Sequence, residues 1–362
     1  MVSIPDCFSE SYAEARTKFC GAVAAASGAL RSYFNPHAQG PDGGRLYLDT
    51  ARFGPADAAN MLVMISSTHG VEGHCGSGAQ IAWLRTGGPG KLPKDTGALL
   101  VHAINPYGFA WTRRVNEDNV DLNRNFVDHD KGYPKNDGYL ALADAILPGT
   151  WGKDELESTQ RVLDAYAQKN GAFALQGAIT GGQYTHADGV FYGGSKPTWS
   201  NRTIRSIARE ELSRAKRVGV IDYHTGLGPF GHGELICTVP PGAKSFARAK
   251  AWYSEMTSPE GGTSTSAIVA GPMLDSFPQE LPDAEVTTIA IEYGTYAVPD
   301  VLGAVRSDNW LHQRGDVNSA LGRELKANMK ERFFPAGDKW REMVWTRADQ
   351  TIDWTLKGLT AN

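Results

Sequence analysis

Apolar and polar positions along this chain switch between a helical period and a strand period. From 9 to 33, Tyr12, Ala15, Phe19, Ala22, Val23 and Leu30 recur at three- to four-residue steps, which predicts an amphipathic N-terminal helix. The Gly- and Pro-rich stretch NPHAQGPDGG breaks it, and RLYLDTARF (45–53) then alternates as a half-buried strand does. MLVMISS (61–67) and ALLVHAIN (98–105) are continuous apolar runs, as expected of strands covered on both faces, with GSGAQIAWLRTG a short helix between them. Further along, 137–147, 153–169 and a charged segment at 200–216 read as helices. VGVIDYH (218–224), GELICTV (233–239) and EVTTIAIEYG (285–294) read as strands, and 298–357 as mainly helical. This rhythm predicts an α/β fold, a three-layer α/β/α sandwich around a mixed, mostly parallel central sheet. No internal repeat and no long linker divides the sequence, so 1–362 is expected to form a single domain.

Composition narrows the partners. Of 362 residues, 41% are hydrophobic and 21% charged, enough to bury a sizeable core. The 36 basic and 40 acidic residues leave a net charge of −4, with no footprint for nucleic acid or an anionic membrane. No run approaches the roughly 20 apolar residues of a membrane span, and the N-terminus lacks the apolar core of a secretory signal. Four scattered cysteines form no CxxC pair, so the expected compartment is the reducing cytoplasm.

The ends of the apolar runs carry the chemistry. MLVMISS leads into Thr68-His69-Gly70-Val71-Glu72, VGVIDY into His224-Thr225-Gly226, and TTIAI into Glu292-Tyr293-Gly294. Ligands of open α/β sheets bind beyond the carboxyl ends of the strands, so these groups point towards one place. Two imidazoles and a carboxylate suit zinc and leave a fourth position open. HxxE alone is a common spacing; His224 and Glu292 behind other strands are what give it weight. A second group follows strand 98–105: Asn105-Pro106-Tyr107-Gly108, then Arg113-Arg114, then Asp121-Leu122-Asn123-Arg124-Asn125-Phe126. Clustered Arg and Asn can cradle a carboxylate, and an arginine aimed at a carbonyl can stabilise an oxyanion.

HGVE, NPYG, DLNRNF, DYHTG and IEYG stand in the order that resembles the zinc carboxypeptidase superfamily, both its carboxypeptidase A-like enzymes and its succinylglutamate desuccinylase/aspartoacylase branch. With GGQY and DGVFYGG between them, the chain looks most like an uncharacterised bacterial branch defined only as a domain of unknown function. The resemblance implies one Zn2+ per chain on His69, Glu72 and His224, with Glu292 as general base. It implies Arg114 as the carbonyl-polarising arginine, with Arg113 as the neighbouring alternative, and Asn123 with Arg124 as the grip on a substrate carboxylate. The implied reaction is hydrolysis of an amide in a peptide or small molecule. Two other readings stay open, an N-acyl amino acid deacylase and a catalytically silent metal- or ligand-binding protein. The loop between NPYG and DLNRNF is much shorter than in the digestive enzymes. Their substrate-capping tyrosine has no clear counterpart; Tyr192 is expected at the substrate, with Tyr184 and Tyr293 as alternatives.

Other residues have plainer readings. Cys75 lies too far past its strand for a nucleophile elbow. His102, inside an apolar strand, reads as a core histidine, and His74 as a packed or exposed one. Asp222 is expected to orient His224. His186 either lines the pocket or sits in a turn, and Trp340, Trp345 and Trp354 read as packing.

Overall fold

Seven strands form one sheet in the computed structural model, which describes residues 2–361. They are β1 (Ala29–Gln39), β2 (Arg45–Phe53), β3 (Asn60–Ile65), β4 (Thr96–His102), β5 (Arg217–Gly226), β6 (Gly233–Ile236) and β7 (Glu285–Gly294), in the order β1-β2-β4-β3-β5-β7-β6. The four central strands run parallel, while β1, β2 and β6 run antiparallel at the edges. Twelve helices accompany them among the described residues. These are α1 (Tyr12–Ala25), α2 (Gly73–Arg85), α3 (Pro106–Ala110), α4 (Asp137–Ile146), α5 (Lys153–Asn170) and α6 (Ala172–Thr180), followed by α7 (Trp199–Leu212), α8 (Lys244–Trp252), α9 (Ser276–Glu280), α10 (Val298–Arg314), α11 (Ala320–Phe333) and α12 (Asp338–Thr360).

Strand periodicity sorts the core into two layers. Leu62, Met64, Leu100, Ile221, Tyr223 and Ile291 face a cluster with Phe19 of α1, Trp83 of α2 and Trp340 of α12. Met61, Val63, Val101, Val218 and Val220 face the other way, onto Ile204 and Ile207 of α7 and Phe277 of α9. Alternation by one residue thus fills both sides of the sheet, which completes the three-layer α/β/α sandwich. A third cluster joins α4 and α6 to α10 and α11 and includes Val71 from the HGVE turn. The 137–180 excursion therefore packs at the strand ends where the chemistry lies.

The N-terminal helix is shorter than the 9–33 expected from spacing. Ser11 caps it by accepting from Glu14 N–H at 3.2 Å, but it ends after Ala25, and Ser27 takes a left-handed φ of 56°. Residues 29–34 pair with 47–52 instead, so their backbone groups are satisfied by the sheet and Leu30 stays exposed. Gly28 is needed at this corner, since a Cβ there would lie 2.4 Å from the Phe53 ring. Pro36, placed in a break, sits where the β1 register slips at the sheet edge, where a missing N–H costs no ladder bond.

Both His74 and His102 lie in the core. His74 Nδ1 meets Ser9 O at 2.7 Å between Phe109 and Phe334, and His102 Nε2 meets Ser77 Oγ at 2.9 Å with its ring on Phe19. Burial pushes each imidazole down to about 4 from 6.5. Between those values the unfolded chain binds protons that the folded one refuses, so stability falls with pH over this window. Stability is expected to fall by on the order of 3 kcal/mol per histidine from pH 6.5 to 4, read as a steady drop in melting temperature. A His102→Asn variant should flatten part of that slope; an unchanged slope would show that His102 is not a source of it.

Candidate active site

The HGVE turn is held by backbone before any side chain acts. Gly70 N–H donates to Arg114 O at 3.0 Å, and Val71 N–H to Arg113 O at 2.8 Å. Gly70 packs against Gly108 so closely that a Cβ would fall 2.0 Å from its carbonyl carbon, which accounts for the glycines in HGVE and NPYG together. His224 and Glu292 are directly paired across the parallel β5–β7 ladder, so both side chains leave the sheet on one side. Ligand atoms of His69, Glu72 and His224 all lie within 4.8 Å of one another, and all three residues are buried.

Around this triad the polar contacts are dense. Glu72 Oε1 is 2.9 Å from His69 Nδ1, Glu72 Oε2 is 3.0 Å from His224 Nδ1, and the two Nδ1 atoms are 3.2 Å apart. His224 Nε2 donates to Asp222 Oδ2 at 2.6 Å, and Thr68 Oγ1 donates to Asp222 Oδ1 at 2.8 Å. That commits Nε2 to Asp222 and turns Nδ1 towards Glu72. His69 Nε2 lies 3.2 Å from Asp121 Oδ1 and 2.7 Å from Arg114 Nη2, neighbours that favour opposite tautomers. Arg114 also donates to Asp121 Oδ2 at 2.9 Å and Glu72 Oε1 at 3.3 Å.

These contacts make a site that calls for positive charge. Burial opposes ionisation of Glu72, yet the His69 and His224 imidazoles bring its carboxyl down to about 2. Burial likewise opposes protonation of His224, but Asp222 and Glu72 hold it well above its ordinary range. Two imidazole Nδ1 atoms and one carboxylate are zinc donors, with carboxylates behind both imidazoles, so the residues fit a divalent cation. Glu292 behaves differently: burial first, then the charge of Glu72, push its carboxyl up to about 8. Leu227 N–H donates to its Oε1 at 2.9 Å and holds it in place.

A cavity of about 370 Å3 opens over the triad, and Arg114, Asn123, Arg124 and Glu292 line it as well. The Asn-Arg pair is oriented by backbone. Asn123 Oδ1 accepts Met273 N–H at 2.9 Å, which leaves its amide hydrogens unspent. Arg124 gives Nε–H and one Nη2–H to Thr180 O and one Nη1–H to Asn123 O, so two of its five N–H groups remain free. Burial brings Arg124 down to about 10. Phe191 lies beneath both guanidiniums, 4.8 Å from Arg114 and 5.8 Å from Arg124, on a left-handed backbone with φ 53°.

Two expected substrate residues lie outside the cavity. Arg113, beside Arg114 in sequence, turns into the protein and pairs with Asp308 at 3.2 Å and Asn119 at 3.0 Å. Tyr192 is buried, its carbonyl accepting Asp121 N–H at 2.8 Å. Tyr184 donates to Arg124 O at 2.6 Å and Tyr293 to Val344 O at 3.1 Å; among the described residues no tyrosine lines the cavity. His186 also lies outside it, its Nδ1 2.9 Å from Thr185 Oγ1. Cys75 is fully buried and its thiol is pushed well up by burial, the opposite of an activated nucleophile. Asp121 and Phe191 escaped the sequence reading. Asp121 had a signal in its position heading DLNRNF, whereas Phe191 had none beyond an aromatic in a glycine-rich loop.

A family model described as a protein of unknown function (DUF2817) matches residues 8–347. No curated protein sequence matches the chain. Among solved structures, it is similar to carboxypeptidase A from Helicoverpa armigera, with 14% identity, 89% of this chain and 73% of that one covered, and a TM-score of 0.43. It is similar to bovine thrombin-activatable fibrinolysis inhibitor, solved in complex with tick carboxypeptidase inhibitor, at 10% identity over 94% and 97% of the two chains, TM-score 0.46. A Silicibacter succinylglutamate desuccinylase gives 11% identity over 84% and 64%, TM-score 0.40. At such identities the chemistry has to be read from the site's own residues.

Proposed function

Because the chain belongs to the DUF2817 family, whose description names no reaction, we propose its function from the site: metal-dependent hydrolysis of an amide bond next to a substrate carboxylate, carboxypeptidase-like, with one zinc ion held by His69, Glu72 and His224. The observation that carries this is the His-Glu-His group sharing one cavity with a half-buried carboxylate, Glu292, and with arginines that have free donors.

Zinc, when bound, acts as a Lewis acid towards the scissile carbonyl and makes water acidic enough to be deprotonated near neutral pH. Glu292 takes a proton from the attacking water as its oxygen adds to the acyl carbon. It then delivers that proton to the leaving nitrogen as the C–N bond breaks, giving an acid and an amine. A cation at the triad offsets the Glu72 charge that raises Glu292, which suits the carboxylate to start as base. Arg114 donates to the oxygen on which negative charge develops. The free N–H groups of Arg124 and Asn123 receive the substrate carboxylate and set the distance between it and the scissile bond. Four free cysteines, three of them buried, favour a reducing compartment, and a cytoplasmic enzyme is part of the proposal.

Peptide trimming and removal of an acyl group from an amino acid place the same demands on these residues. The test is a panel of N-acyl amino acids and short peptides, each with a free C-terminal carboxylate or its carboxamide, assayed on zinc-supplemented protein. Hydrolysis of the free acids with a preference of about 100-fold or more in kcat/KM is expected. Equal use of the carboxamides, or no hydrolysis in any series, overturns the reading.

A further inference from the structure

The two edges of the sheet are finished differently. β6 is 4 residues long and a loop closes it: Cys237 N–H donates to Thr257 O at 2.9 Å and Thr257 N–H to Leu235 O at 2.8 Å. β1, at the other edge, is 11 residues long, and pairing with β2 satisfies it from one side only. Among the described residues no loop or turn bonds to the outer backbone of 29–34. A long open edge is a template for another strand, and the usual protections are charged side chains, proline or a bulge. Here Pro36 and the slip in register come only after Phe34.

The direction of each outer group follows from one tyrosine. Tyr47 N–H donates to Tyr12 Oη at 2.8 Å, and Tyr12 Oη–H donates to Tyr47 O at 2.9 Å. Both backbone groups of Tyr47 are thus turned away from β1, so Tyr47 and its partner Phe34 form a pair without ladder bonds. Antiparallel ladders alternate, so Ala29, Arg31 and Tyr33 bond to β2 while Leu30, Ser32 and Phe34 turn their N–H and C=O outwards. The side chains of that outward trio share one face, and Leu30 and Phe34 are 42% and 46% exposed.

We infer that β1 is a dimerisation edge, occupied by β1 of a second copy in antiparallel pairing with the two-fold axis at Ser32. Only this register lets all three outward residues of each chain give and take a bond. It sets Leu30 opposite the partner's Phe34 and Ser32 opposite the partner's Ser32, and on the other face Arg31 opposite the partner's Tyr33. Apolar meets apolar, a guanidinium meets an aromatic ring, and no like charges stand opposite each other. Arg31 is itself neutralised by Glu211 at 2.9 Å. The self-match is what selects a second copy over an unrelated extended peptide. Both outer edges of the joined sheet are then β6, closed by its loop, so association stops at two. None of this depends on the chemistry of the cavity.

Sedimentation velocity of the full chain at micromolar to tens-of-micromolar concentration tests it. Wild type is expected at twice the monomer mass of 39.1 kDa. Two double variants probe the register at low salt. Leu30→Lys with Phe34→Lys sets lysine against lysine across both symmetric pairs and should raise the dissociation constant by about tenfold or more. Leu30→Lys with Phe34→Glu sets opposite charges there and should associate at least about tenfold more tightly than the first. Both lose the same contacts of Phe34 with Tyr47 and Arg45, so the difference between them reports the opposition alone. Ser32→Pro removes the outward N–H on the axis and spares the β2 ladder. It should weaken the dimer by about tenfold, and it serves if melts show that a double variant does not fold. A monomeric wild type, a dimer that survives the lysine pair, or two double variants of equal affinity overturns the inference.

Discussion

Glu292→Gln is expected to lower kcat by about 10^3-fold or more without loss of bound zinc. The carboxylate sits at the end of β7, in register with His224, and is held by the Leu227 N–H. A glutamine fills the same space and its carbonyl oxygen can accept the same bond, so the metal group of His69, Glu72 and His224 is left intact. What disappears is the half-buried cavity carboxylate that pairs in register with His224, and with it the proposed proton shuttle from water to leaving nitrogen. General acid–base catalysis is worth typically 10^2- to 10^4-fold, and one group here carries both transfers. Steady-state kinetics beside elemental analysis decides the matter. A variant within about tenfold of wild-type kcat would remove Glu292 from the mechanism and move the search for a base to another group.

His224→Ala is expected to remove both the metal and the activity, and His69→Ala to do the same. Each would supply one of three ligand atoms in a group whose imidazoles have carboxylates behind them, Asp222 for His224 and Asp121 for His69. Losing a ligand leaves two, and the remaining Glu72 with its neighbours becomes an uncompensated negative cluster. Purified wild type is expected to carry about one zinc per chain and either variant less than about a tenth of that. Chelation should lower the wild-type melting temperature, because zinc binds the folded chain alone, and leave the variants where they are. Wild type without metal even after zinc is supplied, or variants that retain it, would sink the ligand assignment. Asp222→Asn is the graded case: it should weaken zinc by about 10- to 100-fold without abolishing it.

Much of this arrangement was legible along the chain because the signals are local. The central strands are short runs of Leu, Val, Ile and Met, and each ends in small or polar residues just before a ligand-type side chain, as at Ser67-Thr68-His69 and Tyr223-His224. A run buried on both faces needs no knowledge of its neighbours to be recognised. The N-terminal helix failed for the converse reason. Leu30 keeps the helical spacing, but a hairpin partner 23 residues away, Arg52 opposite Ala29, decides the conformation of residues 29–34. Pattern reading has no access to such a partner.

By itself, then, the sequence determined the layered α/β class and the strand ends that carry His69, Glu72, His224 and Glu292, since burial and strand polarity act over a handful of residues. Only the tertiary structure separated Arg113 from Arg114. The two are adjacent and chemically alike, yet one meets Asp308 from α10 while the other meets Asp121 and Glu72. It also took Tyr192 out of the cavity and set Phe191 beneath two guanidiniums. Each of these depends on contacts between segments far apart in the chain. A charged side chain's role is fixed by which opposite charges and which water remain within a few ångströms of it, and no local spacing contains that information.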